Sequence, residues 1–321
     1  MEHGIAGFPA APLRWLITGS SGLVGTALRD VLSAGGHETA RLVRGAPRSP
    51  NGPDTTSASW DPETGRLDPD SVSGFDVVVH LAGAGIADGR WTARRKALIR
   101  DSRVRGTDLL ARSLAAASRP PRVLVCASAV GFYGDRGDMQ VDEGSAAGRG
   151  FLADTSRAWE AAARPAIDAG IRVAFLRIGI VLSPAGGALA RMLLPYRMGL
   201  GGPLGDGRQY WSWIVLDDLV AVVLHVAATE ELAGPVNAVV PSAVRNADFS
   251  STLGRVLCRP ALFRLPAPVI RLLLGEMGQE LLLASARVRP TRLIDSGFDY
   301  RFAELEPALR HALSRPREIG S

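Results

Sequence analysis

Residues 14–28, RWLITGSSGLVGTAL, set Gly19, Gly22 and Gly25 between an apolar strand and a helix that runs to about Ala34. Each glycine has a physical reason at its place. Gly19 lets the chain turn tightly, Gly22 lets backbone approach a pyrophosphate, and Gly25 lets the helix pack closely on the sheet. Free N–H groups and the helix dipole then favour an anion at the helix N-terminus. A glycine triplet alone is weak evidence, but this one opens a strand–helix–strand unit, the context in which the motif carries meaning.

The rest of the chain repeats that unit. Gly35-Gly36 ends the first helix, and a second strand follows at 37–43. The stretch 47–69, rich in Pro, Gly, Ser, Thr and Asp, reads as loop around a short strand near 58–60. DVVVHL at 76–81 is a nearly continuous β-branched run, as in a parallel strand buried on both faces. A helix over 92–117 stops at Pro120-Pro121. A strand at 122–127, a helix at 151–169 and a strand at 171–177 complete the series. The class is α/β: a Rossmann-type doubly wound parallel sheet over 13–182. Residues 183–315 read as a smaller, α-rich C-terminal substrate lobe, some of whose strands return to the main sheet. Residues 1–12 read as a loose leader and not a secretory signal.

The tip of the second strand selects the dinucleotide. An NAD site usually carries Asp or Glu there, to hold the ribose hydroxyls. Here the strand ends Leu42-Val43-Arg44, with Arg48 beyond and no acid at the tip. A carboxylate would repel a 2′-phosphate, whereas a guanidinium pairs with it, so Arg44 points to NADP(H) as cofactor.

Composition narrows the partners. The formal charge of +5 comes from arginine, since Lys96 is the only lysine, and the arginines are interleaved with 32 acids. That pattern argues against a nucleic-acid track. No apolar segment is long enough to span a membrane. Two distant cysteines, Cys126 and Cys258, make neither a disulfide framework nor a metal site, so the expected home is a reducing cytoplasm. A small-molecule substrate and a homodimer are the remaining partner expectations.

TGSSGLVG, HLAG at 80–83 and a strand ending in serine before a YG pair (CASAVGFYGD) resemble the short-chain dehydrogenase/reductase superfamily, in its extended or epimerase-like branch. AGAGIADGRW, LRIGIVLSPAGGAL, GLGGPLGDGRQYWSWI and VRNADF narrow the resemblance to "epimerase family" proteins with a distinctive C-terminal domain of unknown function. The resemblance covers residues 14–313. It implies that Gly19, Ser20, Ser21, Gly22, Leu23 and Val24 form the pyrophosphate loop, and that Leu81, Ala82 and Gly83 lie beside the adenine-side ribose. It further implies that Ala127 and Ser128 end the strand bearing the catalytic serine, and that backbone at 178–181, with Ile180 and Val181, meets the nicotinamide.

One departure matters. The superfamily's proton transfer uses Tyr-x-x-x-Lys, with the lysine lowering the tyrosine's pKa. The corresponding helix reads FLADTSRAWEAAA, which places Leu152 and Ser156 at those positions. Ser128 is then expected to orient a substrate oxygen. Tyr133, the first phenol beyond it, is the candidate proton donor, with loop packing as its alternative. Arg208, Gln209 and Trp211 are the expected substrate wall, Gln209 pointing into the cleft. Two functions follow: an NADP(H)-dependent oxidoreductase or epimerase acting on a small polar molecule, such as a nucleotide sugar, or an NADP(H)-binding redox sensor or scaffold without catalysis.

Overall fold

The computed structural model describes residues 12–45 and 56–314. The chain runs through β1 (Arg14–Thr18), α1 (Leu23–Ala34), β2 (Glu38–Arg44) and β3 (Thr56–Trp60). It continues through β4 (Val77–His80), α2 (Ala93–Ala116), β5 (Val123–Ala129) and the short β6 (Gln140–Val141). Then come α3 (Phe151–Ala161), α4 (Arg164–Asp168), β7 (Arg172–Ile178), β8 (Ile180–Leu182) and α5 (Gly187–Arg197). β9 (Tyr210–Trp211), β10 (Trp213–Val215), α6 (Leu216–Ala228), β11 (Gly234–Ala238), β12 (Val244–Arg245) and α7 (Asn246–Val256) follow. The last segment holds α8 (Ala267–Leu274), α9 (Glu276–Gly278), β13 (Arg287–Val288), α10 (Thr291–Asp295) and α11 (Leu305–Ser314).

Seven strands make one sheet in the order β11-β7-β5-β4-β1-β2-β3. Every neighbouring pair is parallel. The order reverses between β1 and β4, and doubly wound sheets bind ligands in the crevice at the carboxyl ends of the strands at such a point. Strand alternation divides the core. Trp15 and Ile17 pack with Leu28 of α1 and Val223 of α6, while Leu16 and Val78 pack with Leu110 of α2 and Ala166 of α4. A third core, around Trp211, Trp213, Phe249 and Leu309, belongs to the C-terminal part.

The expected helix over 151–169 is broken into α3 and α4. Pro165 lies in the first turn of α4, the position a proline tolerates. β11 joins the main sheet beside β7, and α5 is a helix that the glycine-rich sequence around it conceals. Arg48 and residues 1–11 lie outside the described residues. Among the described residues no helix is long and apolar enough to cross a membrane.

Two of the contacts that tie the C-terminal part to the sheet domain involve its acids. The Glu280 carboxylate accepts the backbone N–H of Phe151 and of Leu152, both at 2.8 Å, and so caps α3 from 128 residues away in sequence. No side chain of α3's own flank does so, since its N-cap is Gly150. Lys96 of α2 reaches Glu276 at 2.8 Å, with its ammonium 5.0 Å above the Phe151 ring.

Candidate cofactor and active site

The crevice starts at the turn after β1. Gly19 has φ +66°, and a Cβ there would lie 2.7 Å from the carbonyl carbon of Leu81. Gly25 is more confined: a Cβ would lie 2.3 Å from the Gly19 oxygen and 2.8 Å from Ser20 Cα. The turn and the helix are thus pressed together as closely as backbone allows. Gly22 is the N-cap of α1, and no side chain caps the helix. Its first-turn N–H groups are left for an outside acceptor. Ser20 is buried, Ser21 and Gly22 are exposed, and Leu23 and Val24 are half-buried at the helix start. A cradle that admits no side chain, beside an uncapped helix terminus, fits a pyrophosphate.

β4 is locked onto that turn by a buried hydrogen-bond chain. Thr18 Oγ1 accepts the N–H of Leu81 and of Ala82 at 3.2 Å and lies 2.7 Å from His80 Nδ1. With two donors already aimed at it, the Thr18 hydroxyl donates to Nδ1. His80 Nε2 then carries the proton towards Thr107 Oγ1 at 3.0 Å, and Trp159 Nε1 donates to the same oxygen at 2.9 Å. Burial lowers the His80 pKa to about 4, so the imidazole is a neutral structural link and not a base. Gly83 sits against the Arg103 guanidinium, whose Nη1 donates to Ala84 O and Ile99 O. Burial brings Arg103 down to about 10, which still leaves it charged at neutral pH. Arg44 stands exposed at the last position of β2, where its register partner is Trp60 of β3.

At the end of β5 the arrangement differs from expectation. Ser128 is buried, and its hydroxyl donates to Glu160 Oε1 at 2.8 Å. The same oxygen accepts Arg177 Nε at 2.8 Å, and Oε2 accepts Arg177 Nη2 at 2.9 Å. Arg177 also lies 3.4 Å from the centroid of the Phe132 ring, and its Nη1 donates to the Tyr133 hydroxyl at 3.0 Å. Tyr133 in turn donates to Asn237 Oδ1 at 2.7 Å. Burial penalises the Arg177 cation, but Glu160 and Tyr133 more than offset this and raise its pKa. The Tyr133 phenol is pushed up to about 12, chiefly by burial.

This network corrects three sequence expectations. Tyr133 is fully buried with its hydroxyl held by Arg177 and Asn237, so it packs inward and does not reach back over the crevice. Gln209 does not point into a cleft. It is buried, and its Nε2 donates to the carbonyls of Leu204 and Leu282. Trp211 is not a substrate wall either; it is buried against Phe249 in the C-terminal core. The stretch 209–213 is a seam: Ser212 Oγ donates to Ala286 O and accepts from Val288 N. Arg208 alone of that wall is exposed. Of the dyad positions, Leu152 is half-buried beside Gly131 and Ser156 is buried. Ala127 and Ser128 are the last positions of β5 before Ala129, next to β7, while Ile180 and Val181 open β8, half-buried beside β10.

The members of this network that the sequence did not single out are Glu160, Arg177 and Asn237. One signal was present: an arginine inside the otherwise apolar strand RVAFLRI is a charge that must find a partner once buried.

A family model for the NAD dependent epimerase/dehydratase family matches residues 15–239. The chain belongs to the NAD-dependent epimerase/dehydratase family. A second model, a domain of unknown function (DUF1731), matches residues 265–312 of this family member, the part that carries Glu276 and Glu280. Among relatives, the epimerase family protein Mb2239 of Mycobacterium bovis is 43% identical over 300 residues, covering 94% of this chain and 97% of the relative. The human epimerase family protein SDR39U1 is 35% identical over 305 residues, 94% of this chain and all of the relative. A crystal structure of human SDR39U1 (isoform 2) with NADPH aligns with a TM-score of 0.85 at 34% identity, over 94% of this chain and 100% of that one. A nucleoside-diphosphate sugar epimerase structure from Corynebacterium glutamicum aligns with a TM-score of 0.75 at 38% identity, over 94% of this chain and 58% of that one. The epimerase-like extended short-chain dehydrogenase/reductase resemblance read in the sequence is therefore correct, and so is the Rossmann-type sheet.

Proposed function

We propose that this family member binds NADP(H) across the ends of β1, β4 and β2 and exchanges hydride with a small polar alcohol or carbonyl compound, such as a nucleotide sugar. The observation that carries the reading is the uncapped start of α1, closed by glycines that tolerate no Cβ, together with Arg44 where an NAD site would carry an acid. The NADPH-bound human relative supports it. Residues 13–182 would carry the cofactor and 183–315 the substrate side. A cytoplasmic protein with a small-molecule substrate, no nucleic-acid ligand and a homodimeric assembly completes the reading.

When bound, the cofactor supplies a hydride donor or acceptor at the nicotinamide. The chain's own groups do the rest. First-turn N–H groups of α1 hold the pyrophosphate, and Arg44 holds the 2′-phosphate. Backbone at 81–83 and at 178–181 flanks the adenine-side ribose and the nicotinamide. Ser128 has a restricted part, because its proton points to the Glu160 carboxylate, a group that only accepts. Its oxygen is thus an acceptor, and a ligand group beside it must donate: a hydroxyl of the substrate or the carboxamide N–H of the cofactor. Tyr133 becomes a positioning residue that steadies Arg177, and the proton transfer falls to the substrate or solvent.

Loss of the Arg44 contact is expected to cost about 1–3 kcal/mol for NADPH. In calorimetry Arg44→Ala should weaken NADPH about tenfold or more and leave NADH nearly unchanged. Equal losses for both cofactors would remove Arg44 from the 2′-phosphate site.

A second reading, an NADP(H) sensor without catalysis, is favoured by one set of contacts: Ser128, Glu160, Arg177 and Tyr133 satisfy one another. A panel of carbonyl compounds incubated with NADPH labelled at C4, and of alcohols labelled at the carbinol carbon incubated with NADP+, separates the two. Label passing between cofactor and any of them supports the enzyme. Retention of label across the panel with NADPH still bound supports the sensor.

A further inference from the structure

The C-terminal part carries a surface that neither the sheet nor the crevice uses. Leu262 is 83% exposed, Leu272 76% and Leu194 69%, with Phe263, Met198 and Leu273 also more than half exposed. These residues come from two segments that run side by side. Phe263 N donates to Gly201 O, Leu265 N donates to Pro203 O, and Arg259 Nε donates to Arg197 O. Helix α8 is anchored from below by Ile270, fully buried, and turns Val269, Leu272 and Leu273 outward. Single exposed leucines need no explanation; a contiguous patch of large side chains marks an interaction site.

The charge of the patch identifies its partner. Residues 187–205 and 257–275 contain not one acid, and with Arg191 paired to Asp88 at 2.9 Å the cations of the face are Arg197, Arg259, Arg264 and Arg271. A second copy is a poor occupant: a two-fold pairing would set these four arginines against the same four. Arg264 sits between Phe263 and Leu265 in the chain, and all three are exposed. Arg197 and Met198 repeat the pattern at the end of α5. Apolar side chains beside arginines are the composition of a surface that inserts shallowly at the boundary between acyl chains and anionic headgroups.

We propose that this face, formed by the end of α5, the 259–265 segment and α8, docks on a membrane surface rich in anionic lipid. The attachment is peripheral and distinct from spanning. It uses none of the residues assigned to the cofactor, so it can fail while the cofactor reading stands, and the reverse.

The test is sedimentation of the full chain with vesicles of phosphatidylcholine alone or with about a third phosphatidylglycerol, at low and high salt. Binding is expected to the anionic vesicles and to fall as salt rises. Each arginine near such a surface is worth roughly fivefold in partitioning, so Arg197→Gln with Arg264→Gln should weaken binding on the order of twentyfold. Leu262→Ser with Leu272→Ser should abolish it, while NADPH titration confirms that both variants remain folded. Equal binding to neutral and anionic vesicles overturns the anionic assignment. No vesicle binding, with a concentration-dependent dimer that the leucine variant breaks, overturns the proposal in favour of a second copy. No vesicle binding, with an assembly that the leucine variant leaves unchanged, overturns it in favour of an acidic protein partner.

Discussion

Arg177→Ala is expected to lower the stability of the folded chain by about 3–5 kcal/mol, the cost of leaving one member of a buried ion pair without the other. Arg177 is 3% exposed and gives three hydrogen bonds, two to Glu160 and one to Tyr133. Removing it strands the Glu160 carboxylate and takes away the cation that lies over Phe132. The strands β5, β7 and β11 meet at this network, so the loss should appear as a lower denaturant midpoint with an unchanged slope. Arg177→Met combined with Glu160→Gln should recover much of the stability, because it removes the charge and its counter-charge together. A single-variant loss below about 1 kcal/mol would mean that water already screens the pair and that the network is not an organising centre.

Gly25→Ala should separate cofactor binding from folding. The added Cβ would sit 2.3 Å from the Gly19 oxygen, a backbone atom that cannot rotate out of the way. The turn must move, and overpacking of this kind costs typically 1–3 kcal/mol. The same movement displaces the N–H groups that would hold the pyrophosphate, so NADPH affinity should fall on the order of a hundredfold, by about 2–3 kcal/mol. Fluorescence titration of the folded variant measures this. Unchanged affinity would show that the phosphates do not rest on this turn.

The two variants touch parts of the molecule that differ in how plainly they were written in the sequence. The glycine turn and the β4 strand were legible because both are local: a strand, a tight turn and a helix lie within 21 residues, and VVVH is apolar enough to be buried whole. The sheet followed, since parallel crossovers leave few alternatives once the elements are ordered. The Ser128 network was not legible. Tyr133 and Asn237 are 104 residues apart, and Ser128 and Glu160 are 32 apart, so no spacing rule joins them. Tyr133 read either as a proton donor, because it is the first phenol beyond Ser128, or as a packed loop residue, and the structure has the second. Which way the phenol faces was decided by Arg177 on another strand. Gln209 and Trp211 misled for a related reason. A glycine- and aromatic-rich segment has the composition of a ligand loop, yet here its polar atoms fasten residues 282–288 to the body of the protein. Arg44 needed no long-range contact to be noticed, only its place at the end of β2.

The solitary lysine gives the molecule a built-in chemical handle. An acylating reagent that attacks side-chain amines finds Lys96 and nothing else, and Lys96 is where α2 touches Glu276 of the C-terminal part. A fluorophore attached there would sit between the part that holds the glycine turn and the C-terminal part. Acetylation at the same atom would erase the one ammonium that this contact is made from, so a common cellular modification has a single side-chain target in this protein, and it lies on one of the fastenings between its two parts.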